Sequence, residues 1–226
     1  MTNEISIKIA IDGPSASGKS SAAQKLAEKL NFVRIEGGMF YRAITYETLK
    51  KYKKAVDESV DGFQQFISEM NISVKKEKIF CNDEEITPYI RTPEIDSNVG
   101  KIAKIPLVRK KVFEMERNAI NSIKEGLIMD GRVIGTVVMP DADFKFFITA
   151  SSQTRAHRRH LQQPDADFNK VLDEIEKRDK EDASRKIDPL IMAKDAILIE
   201  NDKLTLNETV EVMENYIKTN KNGLKF

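Results

Sequence analysis

The chain has 226 residues, 32% of them charged, a formal charge of +1 and a single cysteine, Cys81. That length suits one main domain carrying an insertion, with a core that needs neither disulfide nor metal. The charge balance gives no reason to expect a nucleic-acid or membrane binder, though a local cluster of arginines can still bind an anion, and the lone cysteine excludes an internal disulfide.

In chain order, the first element is the apolar run ISIKIAI, Ile5 to Ile11, which reads as a strand. It is short and interrupted by Lys8, so it is neither a signal peptide nor a membrane span, and a cytoplasmic location is expected. A glycine- and serine-rich stretch follows, and then a helix whose Ala23, Leu26, Ala27 and Leu30 share one face. FVRIE (Phe32 to Glu36) is a second strand. KKYKK (Lys50 to Lys54) reads as a solvated helix end. From about Val60 to Lys104 the strand–helix rhythm breaks. ISV (Ile72 to Val74) and KIFC (Lys78 to Cys81) predict a small antiparallel hairpin, with EEI (Glu84 to Ile86) as a third short strand and Cys81 packed within it. GLIMD (Gly126 to Asp130), FKFFIT (Phe144 to Thr149) and AILIE (Ala196 to Glu200) complete five core strands. Most lack clean alternation, as strands covered on both faces do. The polar QQPDAD (Gln162 to Asp167) separates two helices and reads as lid-like, with His157 and His160 on the lid's surface. The last helix places Leu206, Val210, Met213 and Ile217 on one face, and the tail KTNKNGLKF is expected to fray. Strands alternating with helices predict an α/β fold with a parallel sheet.

The stretch after the first strand, GPSASGKSS (Gly13 to Ser21), has Gly13, Gly18, Lys19 and Ser20 in the pattern G-x-x-x-x-G-K-[ST]. Glycine lets backbone N–H groups turn inward around an anion, and the following helix adds unpaired N–H groups and the positive end of its dipole. Lys19 can reach the outer phosphates and the Ser20 hydroxyl can ligate Mg²⁺. The loop sits between a strand and a helix, as this chemistry requires, so it is expected to hold a nucleoside triphosphate with Mg²⁺. Asp130 ends the third core strand, where a carboxylate can hold a Mg²⁺-bound water.

Arginines gather near the expected strand ends and lid: Arg42, Arg109, Arg132, the face Arg155, Arg158, Arg159, and a second face Arg178, Asp182, Arg185. Their guanidinium forks match phosphate oxygens, and as a set they fit a site gripping two phosphorylated ligands. A phosphate monoester as acceptor is already largely dianionic at neutral pH, so no general base is required.

The ordered stretches IAIDGPSASGKSS, EGGMFYRAI, IRTPEI, IPLVR, DGRVIGTVVMPDADFKFFITAS, RAHRR and EIEKRDKEDASRKIDPL resemble the bacterial cytidylate kinases, nucleoside monophosphate kinases, from Ile7 to about Ile217. The resemblance implies a P-loop NTPase fold, a five-stranded parallel sheet flanked by helices. It also implies an inserted small α/β monophosphate-binding subdomain (60–104, against a core of 1–59 and 105–226) and a lid at about 155–185. The implied reaction is transfer of the ATP γ-phosphoryl group to CMP or dCMP, with Mg²⁺, by a monomer with no nucleic-acid or membrane partner. By position, Gly13, Pro14, Ser15, Ala16, Ser17, Gly18, Lys19, Ser20 and Ser21 hold ATP. Lys19, Asp130, Arg132, Arg155 and Arg159 serve the transfer. Arg42 and Arg132 hold the acceptor phosphate, Tyr41 packs near the nucleoside, and Arg109, Asp182 and Arg185, with Arg178, meet base or ribose.

The chain departs from that family's pattern at Glu36-Gly37-Gly38, where Asp, then Ser or Thr, then Gly is usual, at Val133 in place of Asp, and at Gly100 in place of a small hydroxyl residue. Each departure removes a hydrogen-bonding side chain, and a site with fewer polar partners discriminates less between related ligands. The competing readings are a kinase of the same architecture acting on UMP or another small acceptor, and an ATP-binding module that has lost catalysis. Intact Lys19, Asp130 and Arg132 oppose the latter. A GTPase switch lacks a base-recognition stretch of its kind.

Overall fold

The computed structural model describes residues 6–54, 57–75 and 77–220. Ile5 and residues 221–226 of the tail expected to fray lie outside them. The elements in chain order are β1 (Lys8–Asp12), α1 (Lys19–Leu30), β2 (Val33–Glu36), α2 (Gly38–Tyr52), α3 (Phe63–Glu69), β3 (Ile72–Lys75), β4 (Lys78–Cys81) and β5 (Glu84–Glu85), then α4 (Pro93–Ile102), α5 (Pro106–Ser122), β6 (Leu127–Gly131), β7 (Phe144–Thr149), α6 (Ser152–Gln162), α7 (Phe168–Ala183), β8 (Ile197–Glu200) and α8 (Leu206–Asn220). The chain divides into two compact units, 1–34 with 125–226, and 35–124.

The first unit is built on the sheet β2-β6-β1-β7-β8. Strand β1 runs parallel to β6 (Lys8 opposite Leu127) and to β7 (Ile9 opposite Phe144), and β7 runs parallel to β8. Strands β1, β6 and β7, whose runs lack alternation, have both faces covered, whereas β8 at the sheet edge leaves Leu198 exposed. Ile9, Ile11, Ile128, Phe146 and Ile148 are buried together with Ala23 and Leu26 of α1 and Val210, Met213 and Ile217 of α8. Burying each such large side chain contributes about 1.5–3 kcal/mol. Leu206, expected on the same face of α8, is instead 42% exposed. It is the first residue of the helix, so no preceding turn covers it. Among the described residues, no helix is long and apolar enough to cross a membrane.

Local chemistry sets the helix ends of this unit. Ser151 caps α6 by accepting from Thr154 N, and Asp167 caps α7 by accepting from Lys170 N. The polar QQPDAD segment is thus the turn between α6 and α7. His157 is exposed, whereas His160, expected on the surface, is half-buried with its ring edge-on to Phe168, 6.0 Å between centroids. The turn folds α7 back onto α6 and covers it.

The second unit carries the antiparallel sheet β3-β4-β5, with Ile72 opposite Cys81 and Phe80 opposite Glu85. Cys81 is buried, and burial pushes its thiol up to about 11, so it is a packing residue. Thr92 accepts from Ile95 N and Pro93 opens α4 where no donor is needed. This unit is wider than the segment 60–104 singled out by strand chemistry. Helix α2 packs against α4 and α5, and α3 and β3 pack against α5, so the flanking helices share one core with the hairpin.

Candidate active site

The loop between β1 and α1 turns tightly. Gly18 has φ 86°, and Ala16 is held at φ 57°. A Cβ on Gly13 would lie 2.0 Å from the Ile148 carbonyl oxygen, so only glycine lets the loop approach β7 this closely. Lys19 is buried and its Nζ donates to Pro14 O at 3.0 Å, curling back over the loop. The Ser17 hydroxyl is fully buried and makes no hydrogen bond within the protein. A buried hydroxyl without a partner in a loop of this type suits an oxyanion.

Three side chains hold the loop from outside. Asn201, after β8, donates its amide to Ser17 O at 2.9 Å, and Arg158 donates to Asn201 Oδ1 at 3.0 Å and Asn201 O at 2.8 Å. Arg155 donates to Ser15 O at 3.2 Å and to both oxygens of Asp179 at 3.1 and 2.5 Å. Arg155 is buried and Arg159 half-buried, while Arg178 is exposed on α7.

At the carboxyl ends of β1 and β6 the acidic residues converge. Asp12 accepts from the backbone N–H groups of Ile134 (2.8 Å) and Gly135 (2.7 Å). Burial pushes its carboxyl up to about 6, against the pull of those two N–H groups, Lys19 and Arg132. These two hydrogen bonds hold the π turn Ile134–Val138, which follows Arg132 and Val133, to the start of the phosphate loop. Val133, where the resemblance leads one to look for a carboxylate, is buried. Arg132 donates to Gly13 O at 3.1 Å and to Asp182 Oδ2 at 2.8 Å, and Arg185 donates to Asp182 Oδ1. Burial pushes the Asp182 carboxyl up, but Arg132, Arg185 and Arg178 outweigh it and hold the group below the usual carboxylate range. Arg185 Nε is buried without a hydrogen-bond partner.

Asp130 is 1% exposed. Its Oδ2 accepts from the Ser20 hydroxyl at 2.7 Å, and its Oδ1 accepts from Arg34 Nε and Nη2 at 3.0 and 2.8 Å. Ser20 and Asp130 are hard oxygen donors beside the loop, and among the described residues no group of three His, Cys, Asp or Glu could hold a metal alone. That donor set fits Mg²⁺ brought by a polyphosphate, which supplies the other ligands.

In the second unit Gly37 precedes α2, whose Arg42 donates to Asp96 Oδ1 at 2.6 Å and Ile90 O at 3.1 Å. Arg109 is buried with its guanidinium 5.9 Å from the Tyr41 ring centroid. Glu36 accepts from Arg91 at 2.6 Å. Gly100 lies inside α4 with open space where a side chain would project.

Residues 9–219 match the family described as cytidylate kinase. The chain belongs to the cytidylate kinase family. A cytidylate kinase from Clostridium botulinum strain Langeland is 42% identical over 218 residues, covering 95% of this chain and 99% of that protein. One from Caldanaerobacter subterraneus subsp. tengcongensis is 40% identical over 225 residues, covering 97% and 98%. Among solved structures, an uncharacterized protein from Eubacterium ventriosum is 20% identical with a TM-score of 0.51 over 94% of this chain and 98% of that one. A Thermus thermophilus protein is 13% identical with a TM-score of 0.50 over 95% and 97%. These two share the fold.

In this member of the cytidylate kinase family, three site neighbours escape sequence reasoning. Asp12, Arg34 and Asn201 act through side-chain contacts with residues far away in the chain. Arg34 alone leaves a trace, a charge inside an otherwise apolar strand run, which demands a buried partner.

Proposed function

We propose that this protein transfers the γ-phosphoryl group of Mg-ATP to the phosphate of CMP or dCMP, giving the diphosphate. The observation that carries this reading is the phosphate loop with Lys19 buried over it, Ser17 unpartnered within it, and Arg132 bonded to its first carbonyl. In this reading the loop amides of residues 13–21 and Lys19 bind the donor phosphates. Bound Mg²⁺, held by Ser20 and steadied by Asp130, supplies charge neutralisation at the transferring group. Arg132 stabilises charge on the phosphoryl oxygens, with Asp182 holding its guanidinium in place. Arg155 and Arg159 belong to the lid formed by α6 and α7, and Arg155 anchors it through Ser15 and Asp179.

The acceptor is taken by Arg42 and Arg132 at its phosphate, by Tyr41 and Gly37 near the nucleoside, and by Arg109, Gly100, Arg178, Asp182 and Arg185 at base and ribose. The acceptor phosphate is already anionic, so positioning and electrostatics carry the rate. Balanced charge and one cysteine support a cytoplasmic enzyme acting on small nucleotides alone.

The test is ADP release from Mg-ATP with CMP, dCMP, UMP and AMP in parallel, beside Lys19→Ala. Turnover with CMP or dCMP that falls at least about a hundredfold in the variant is expected. Intact ATP binding with no turnover on any acceptor would overturn the reading.

A further inference from the structure

The carboxylate expected to face Mg²⁺ already has a cation on it. Arg34 Nε and Nη2 both reach Asp130 Oδ1, and Arg34 Nη1 donates to Gln24 Oε1 at 3.0 Å, so α1 and β6 hold the guanidinium from two sides. The pair is enclosed, with side-chain exposures of 13% for Arg34 and 1% for Asp130. The other carboxylate oxygen, Oδ2, takes the Ser20 proton. A hydroxyl that donates its proton to a fixed carboxylate keeps its lone pairs free for a metal.

Two consequences follow from charge alone. A neutralised carboxylate attracts a divalent cation weakly, because the guanidinium repels it at short range in a poorly solvated site. A triphosphate brings enough negative charge to overcome that repulsion, and the metal arriving on it finds the Ser20 hydroxyl already aimed. Resting on the kinase reading above, we infer that Arg34 is a positioning residue that denies the Asp130–Ser20 pair to free divalent cations and reserves it for the cation carried by the nucleotide. The role predicts an ordered site in which metal enters with the donor.

The experiment titrates Mn²⁺ into the protein without nucleotide or acceptor and follows the free-ion signal by electron paramagnetic resonance. Mn²⁺ accepts the same oxygen donors as Mg²⁺. Arg34→Met is expected to bind Mn²⁺ at least about tenfold more tightly than the unaltered protein, and Arg34→Met with Asp130→Asn is expected to lose that gain. Arg34→Gln, which keeps a hydrogen-bond donor beside Asp130, repeats the measurement should the methionine variant not fold. A folded neutral variant with unaltered Mn²⁺ affinity overturns the inference. Loss of folding in both neutral variants overturns it too, since Arg34 would then serve the fold rather than the metal. Because no acceptor is present, the result stands apart from whether CMP is phosphorylated.

Discussion

Arg132 and Asp182 are joined at 2.8 Å across the mouth of the phosphate loop, and the second oxygen of Asp182 is taken by Arg185. One buried carboxylate therefore fixes two guanidinium groups. Asp182→Asn leaves both without their counter-charge, and the variant is expected to lose about 1–3 kcal/mol of stability. The Asp182 carboxyl titrates below its ordinary value, so the stability it contributes is complete above the usual carboxylate range and is lost only as pH falls through its folded pKa. Denaturant melts of both proteins will show a constant difference at neutral pH that closes in acid.

Asp12 has the opposite sign. Its carboxyl is raised from 3.8 to about 6, so ionising it in the folded state costs stability, on the order of 3 kcal/mol. The unaltered protein gains stability relative to Asp12→Asn as pH falls through about 6 toward 4, and loses that gain as pH rises. Thermal melts across this range test it; a difference independent of pH would refute the assignment.

Gly13→Ala drives a Cβ into the Ile148 carbonyl oxygen. The loop must shift away from β7, and ATP affinity is expected to fall at least about tenfold, a loss of about 1.4 kcal/mol. Isothermal titration with Mg-ATP reads this directly.

Gly100 is the contrasting glycine. It lies inside α4, and a Cβ added there would meet nothing within 4 Å. Gly100→Ala is expected to raise stability by about 0.5–1 kcal/mol through lower unfolded-chain entropy, measured by thermal melting.

Arg42 is held by the partly exposed Asp96. An acceptor phosphate bound by Arg42 competes with that carboxylate. Asp96→Asn is expected to lower the acceptor KM about two- to fivefold, the range a partly exposed ion pair supports, with kcat little changed.

The five core strands are legible because their runs are short, β-branched and apolar, most of all in β1, β6 and β7, which are covered on both faces, and FKFFIT is β7 residue for residue. The phosphate loop is legible because its glycines and Lys19 serve the local backbone. Side-chain contacts between distant residues are not. Nothing in the sequence pairs Arg158 with Asn201, and nothing gives His160 its place against Phe168. The arginines can be counted in the sequence but not apportioned: Arg155 spends its guanidinium on Asp179 and Ser15, while Arg178 is exposed on α7. Period alone places helix α8, yet it puts Leu206 on the buried face because periodicity ignores where a helix begins.

The order of β1 in its sheet also governs how the chain comes to be folded. Strand β1 lies between β6 and β7, so Lys8 waits for Leu127, and Ile9 for Phe144, before either has a neighbour. The unit 35–124 is continuous in sequence. Its sheet β3-β4-β5 pairs strands close together in the chain, whereas β1 pairs only with strands that follow more than a hundred residues later. Strand β1, made before both of its neighbours, is an apolar strand whose two edges are paired only after β6 and β7 have followed. Its sheet can close only once Thr149, the end of β7, has been made, so the long-range pairing of β1 is the slow step to expect in folding.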